Sequence, residues 1–191
     1  FGSAIIDILN DNKDWKAIVI GDEEREKIYF GHPRLKVIGF QKHDKVIRIY
    51  KRTSISVVCS RWEEPFGRTS LEASANGCAV IITNKGGLPE TVTDAKIITN
   101  LNEKNLTKTI NQLIENNRLR KKLQELSIKN FYLTHKYVSQ NIDKYRSEKL
   151  WFLKKIFIKA KEKSLRILHV TNFNERLDGR LFFNTGRRLN N

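Results

Sequence analysis

The chain contains no Met, three Pro and only two Cys in 191 residues. Nowhere does it hold an uncharged apolar run near the roughly 20 residues that a membrane-spanning helix needs. Cys59 and Cys78 both stand in apolar, strand-like surroundings. They read as buried thiols rather than a disulfide, and they are too few for a cysteine metal site. With no secretory leader at Phe1, this fits a cytoplasmic setting, free or peripheral at an inner membrane face. Acidic residues are also scarce, 21 against 36 Lys and Arg, for a net charge of +15. That excess is spread along the chain with no module of interleaved basic and aromatic residues, so a nucleic-acid partner is set aside. An anionic small molecule or an anionic membrane surface suits the charge better. Because Met is missing and a helical pattern is already running at Phe1, the chain reads as an excerpt of a longer polypeptide.

What is present is an alternation of short β-branched runs and amphipathic segments. Ala4–Leu9 predicts a helix, Trp15–Ile20 a strand, Glu23–Tyr29 a short helix capped by Asp22, and Leu35–Ile38 a strand. A helix from about His43 to Lys51 and a strand at Ile55–Cys59 follow. Strands at Ala79–Ile82 and Ala95–Ile98 then flank a short helix at Leu88–Val92, and Glu103–Glu115 and Leu119–Lys129 predict two further helices. Interleaving of this kind implies an α/β fold with a doubly wound parallel, Rossmann-like sheet, whose ligands sit at the carboxyl ends of its strands.

One such end carries Ser60-Arg-Trp-Glu-Glu-Pro-Phe-Gly-Arg-Thr-Ser-Leu-Glu-Ala-Ser-Ala-Asn-Gly77. Pro65 and Gly67 interrupt regular structure, Thr69–Ala75 predicts a helix with Leu71 and Ala75 on one face, and Asn76-Gly77 predicts its end. Free backbone N–H groups around Gly67–Ser70 and the positive end of the helix dipole make a place for phosphate oxygens. Glu72 lies one turn further on, roughly 6 Å at about 1.5 Å per residue, which matches the step from a diphosphate to its ribose. Glu64 precedes the helix, on the side where the transferred sugar of a sugar nucleotide would lie. The plainer alternative makes Glu64 a helix cap and Glu72 one solvated carboxylate among many.

The same residues resemble the C-terminal domain of retaining GT-B glycosyltransferases of family four. That domain carries Glu-Pro-Phe-Gly followed by Leu-Glu-Ala, here Glu64–Gly67 and Leu71–Ala73, with seven residues between the two Glu. The likeness continues through Gly77-Cys-Ala-Val-Ile81 and the turn Gly86-Gly87-Leu-Pro-Glu90. It implies that Glu64 contacts the donor sugar as the catalytic carboxylate, that the amides of Gly67, Arg68 and Thr69 hold the diphosphate, and that Glu72 holds the ribose. Gly39-Phe40-Gln41 resembles the loop that packs on the nucleobase. The donor is then a nucleotide diphosphate sugar, with no metal or other cofactor. Gly86 and Gly87 themselves are explained equally by a positive φ, a close backbone approach or a simple connection.

In that family the domain opens with a further strand and an Arg- and Lys-bearing loop, and no matching segment precedes Phe1. The vacant place falls centrally, between Trp15–Ile20 and Ile55–Cys59. These residues therefore divide into a partial nucleotide-sugar-binding domain at 1–130, a basic and aromatic helical connector at 131–163, and the start of a second α/β unit at 164–191. The connector suits either a helix crossing to cover a partner domain or a basic interfacial helix on anionic lipid. Leu165–Val170, Thr171–Gly179 and a helix from Arg180 to Leu189 resemble the opening of a GT-B acceptor domain, as in a tandem enzyme. Alternatively, Leu165–Val170 fills the vacant slot as a permuted strand. The expected function is transfer of a sugar to an unknown acceptor with retention, needing an acceptor domain, so residues 1–191 alone are expected to be inactive. The rivals are a GT-B sugar-nucleotide epimerase and a non-catalytic basic binding module.

Overall fold

A computed structural model describes residues 2–21 and 31–158. In chain order these form α1 (Gly2–Asp11), β1 (Ala17–Val19), β2 (Leu35–Val37), α2 (His43–Tyr50), β3 (Ile55–Val58) and α3 (Arg68–Ala75). After them come β4 (Ala79–Thr83), a 3₁₀ turn (Leu88–Thr91), β5 (Ala95–Ile98), α4 (Glu103–Glu115), α5 (Asn117–Lys129) and α6 (His135–Ile158). The chain divides into two compact units, Phe1–Asn141 and Ile142–Asn191. The second is described only as the continuation of α6. From His135 to Trp151 every side chain of that helix is exposed. The expected helix Glu23–Tyr29, strand Leu165–Val170 and helix Arg180–Leu189 lie outside the described residues.

Among the described residues all strand pairing is parallel, as the alternation requires. One ladder aligns Ala17 with Leu35 and Val19 with Val37. The other sheet has the order β3-β4-β5, with Val58 opposite Ile82 and Thr83 opposite Ile98. Among the described residues no ladder joins β1 to β3, so the sheet is interrupted at the place where the sequence predicts a vacant slot. An apolar cluster spans the interruption. It combines Ile5, Ile8 and Leu9 of α1 with Leu35, Ala79, Ile81, Ile98 and α4 residues Leu106, Ile110 and Leu113, and Val19 and Val57 pack on it.

Strand β4 is buried at all five positions, which is why it reads as an unbroken apolar run rather than an alternating one. Ala79 and Ile81 face the cluster just described. Val80 and Ile82 face a second one, with Tyr50, Ala73, Cys78 and Leu88. Helices thus cover both faces of the three-stranded sheet. Two arginines fasten the periphery. Arg34 donates to the carbonyls of Leu9, Asn12 (2.7 Å) and Trp15 (3.0 Å), closing the end of α1 onto the start of β2. Arg120 lies 5.0 Å from the Trp15 ring centre and donates to the α4 carbonyls of Leu113 (2.7 Å) and Ile114 (3.0 Å).

Helix α3 departs from the predicted amphipathic face. Its buried positions are Ser70, Ala73 and Ser74, not Leu71 and Ala75. Small side chains let this helix lie close to the sheet, a pattern that a count of large apolar residues misses. The helix ends as predicted. Gly77 has φ +76°, its N–H donates to Ser74 (3.0 Å), and the Cys78 N–H donates to Ala73 (3.1 Å). A Cβ at Gly77 would lie 2.8 Å from Ile128 Cδ1.

Gly77→Ala therefore combines backbone strain with a clash and should cost about 1–2 kcal/mol. Ile81→Ala should cost about 2–5 kcal/mol, because β4 cannot collapse around the cavity. Urea unfolding monitored by circular dichroism checks both; midpoints equal to that of the parent chain would contradict the packing described here.

Candidate active site

Residues 60–67 leave the carboxyl end of β3 and reach α3 through a loop that is tied down at successive points. The Thr83 hydroxyl accepts from the Ser60 N–H (2.9 Å) and contacts the Ser60 carbonyl at 3.0 Å, extending the β3–β4 pairing beyond the ladder. The Ser60 hydroxyl in turn lies 3.0 Å from both the N–H and the carbonyl of Trp62. Glu63 then spans to the turn after β4, accepting from Lys85 Nζ (2.9 Å) and from the Gly86 N–H (2.6 Å). Gly87 donates its N–H to the Glu64 carbonyl (2.6 Å).

This contact decides among the explanations of the glycine pair. Gly86 has φ +51°, and a Cβ there would fall 2.2 Å from the Glu64 carbonyl oxygen and 2.5 Å from its nitrogen. At Gly87 a Cβ would fall 2.7 Å from the Pro65 carbonyl oxygen. Two backbones pass with no room for side chains.

At the start of α3, Gly67 is left-handed (φ +93°), and no side chain caps the helix. A Cβ at Gly67 would meet Leu88 Cδ2 at 2.6 Å. The nearest hydroxyl turns away from capping: Ser70 Oγ donates to the Gly67 carbonyl (2.7 Å) and contacts Thr91 Oγ1 (2.7 Å). The first helical bond closes from the Leu71 N–H to Gly67. The N–H groups of Arg68, Thr69 and Ser70 precede it and are the orphan donors of a helix start.

Glu72, one turn along α3, receives two donors on one oxygen. Arg68 Nη2 and His43 Nε2 each lie 3.2 Å from Glu72 Oε1. His43 opens α2, one residue beyond the loop Gly39-Phe40-Gln41, so the predicted ribose carboxylate is bonded to a residue just past the predicted base-binding loop. Gly39 has φ +60° and its carbonyl accepts from the Gly21 N–H (3.0 Å), while the Phe40 side chain is 83% exposed. The Glu64 carboxylate has no hydrogen bond or ion pair among the described residues.

Three further groups nearby, Tyr50, Cys59 and Cys78, are held neutral. Burial, then the charge of Glu72 and then Cys78, push the Tyr50 phenol up to about 12. Burial alone pushes the Cys59 thiol up to about 11 and Cys78 to about 12, as expected of packed thiols. No group of three or more His, Cys, Asp or Glu with metal-binding placement occurs among the described residues.

The predicted site residues thus fall into two neighbourhoods. The Glu64 backbone and Gly67 adjoin the Gly86–Leu88 turn, whereas Arg68 reaches along α3 to Glu72, which His43 meets from α2. Sequence reasoning missed Glu63 and Lys85, the tether of the loop, and His43. Nothing in the pair Glu63-Glu64 distinguishes the tether from the free acid, and 29 residues separate His43 from Glu72.

Residues 3–130 match the family described as Glycosyl transferases group 1. The chain belongs to this family. It is 30% identical over 142 residues to spore coat protein SA of Bacillus subtilis, covering 65% of this chain but 37% of that protein. The C-terminal domain of a group 1 glycosyl transferase (LpcC) from Francisella tularensis shares 27% identity at a TM-score of 0.59, over 68% of this chain and 74% of that one. Anabaena Alr3699/HepE, solved in complex with UDP-glucose, shares 24% identity at a TM-score of 0.58, over 76% and 44% of the two chains. The fold of this group 1 glycosyltransferase chain is accordingly the Rossmann-like C-terminal domain of GT-B enzymes.

The Lys85 bond first, and the Gly86 N–H second, hold the exposed Glu63 carboxyl below its usual range. Its folded-state pKa is lowered, so the tether contributes fully above the ordinary Glu value of about 4.3 and is lost as pH falls through the lowered folded value. The Gly86 amide resonance should therefore titrate below that ordinary value in the parent chain and not in Glu63→Gln. Titration at an unshifted glutamate pKa would contradict the tether.

Proposed function

We propose that this chain is the donor-binding domain of a retaining glycosyltransferase that moves a hexosyl group from a nucleotide diphosphate sugar to an acceptor. The observation that carries the reading is the start of α3: a left-handed Gly67 and three orphan N–H groups, with no side chain in the capping position and an acid on either side. Such a terminus favours a diphosphate, whose growing negative charge as leaving group is met by fixed backbone dipoles. The chemistry is then mostly positioning and electrostatics, and no metal is called for.

Within this reading Glu64 takes hydroxyls of the transferred sugar, and its carboxylate has no partner among the described residues to compete for it. Glu72 takes ribose hydroxyls, and the amides of Gly67, Arg68 and Thr69 take the phosphates. Gly39 and Phe40 pack on the base. That HepE was solved with UDP-glucose makes UDP a reasonable first probe. The acceptor binds to a second domain, and this domain alone binds nucleotide without transferring sugar.

Glu72→Ala should weaken UDP binding by about 10–100-fold, the range for hydrogen bonds to a charged group. In an enzyme joining this domain to an acceptor domain, Glu64→Ala should lower kcat far more than it weakens nucleotide binding. Calorimetric titration and initial-rate kinetics check the two; unchanged values for both variants would overturn the assignment.

A further inference from the structure

We propose that His43 is a positioning residue for ribose recognition, setting the Glu72 carboxylate against the base-binding loop. The inference rests on the donor-binding reading above and adds a residue that the motif does not contain. Its basis is the contact of His43 Nε2 with Glu72 Oε1 at 3.2 Å. A carboxylate only accepts hydrogen bonds, so this geometry requires the imidazole proton on Nε2.

Arg68 Nη2 also lands on Oε1, from one turn earlier on the same helix. Two donors on one oxygen fix the plane of the carboxylate and leave Oε2 with its lone pairs for a further donor. A ribose supplies two adjacent hydroxyls. Arg68 and His43 are not equivalent in this role. The Arg68 side chain is 77% exposed and moves only with α3, whereas His43 opens α2 one residue beyond Gly39-Phe40-Gln41. Among the described residues, the His43 bond is the tie from the carboxylate to the element that follows the base-side loop. Among the described residues, Lys42 and Asp44 flank His43 in sequence, and the Tyr50 phenol feels the Glu72 charge. Through His43 the spacing between base contact and ribose contact is set by one side-chain bond.

The test is calorimetric titration of the 191-residue chain with UDP and with 2′-deoxy-UDP, and with the corresponding adenosine and guanosine pairs. The parent chain should prefer the ribonucleotide. In His43→Leu that preference should fall about 3–10-fold, the loss expected for one hydrogen bond. His43→Gln, which restores an N–H donor, should recover most of it. Once Glu72 is replaced by Gln, the His43 substitution should have no further effect on the preference. Because the His43 side chain is 59% exposed, thermal melts of these variants should stay close to that of the parent. If a melt shows His43→Leu to be misfolded, the Gln variant and the Glu72 double variant carry the comparison. A ribose preference that survives every His43 variant, or that is absent from the parent chain, overturns the inference while leaving donor binding intact. Failure of the parent chain to bind any of the nucleotides overturns both.

Discussion

The arrangement depends on two stretches of backbone passing at a distance that only glycine allows. Gly86 and Gly87, in the turn after β4, lie against residues 63–66, and the Gly87 N–H reaches the Glu64 carbonyl at 2.6 Å. Because the loop is held by its own main chain, the Glu64 side chain is not needed as an anchor. Glu63 takes that task through Lys85 and the Gly86 N–H. The division of labour between adjacent acids, one bound and one free, follows from this approach.

The same turn governs the start of α3. Leu88 fills the space beside Gly67, and the buried Ser70–Thr91 hydroxyl contact joins the first turn of the helix to the 3₁₀ turn. A helix end normally finds a capping side chain. Here the Ser70 hydroxyl bonds backward to the Gly67 carbonyl, leaving the first N–H groups without a side-chain cap. In the proposed reaction, donors already in place need no reorganisation when charge develops on a leaving group.

Much of the fold was legible because the β-branched runs are short and bounded. Ala79–Thr83, Ala95–Ile98 and Glu103–Glu115 lie where apolar patterning put them, to within a residue. Elsewhere edges are trimmed: Trp15–Ile20 narrows to Ala17–Val19, since Trp15 packs on the arginine-fastened periphery instead of joining the ladder. The buried face of α3 was not legible as an apolar stripe, because it is made of Ser70, Ala73 and Ser74. Gly67, Glu72 and the two-glycine turn were visible as motif residues, whereas His43 and Lys85 depend on long-range contacts that no local pattern encodes. Among the described residues no ladder joins β1 to β3, the place where the resembling family has a further strand.

The central claim is that a nucleoside diphosphate is held at the amino end of α3. The most direct measurement is a ¹⁵N-labelled amide titration of the chain with UDP, with ADP and GDP as parallel probes. The account predicts saturable shifts at Gly67, Arg68, Thr69 and Ser70, together with Gly39 and Phe40. Shifts confined to α4, α5 or α6, or no saturable shift with any of the three nucleotides, would contradict it.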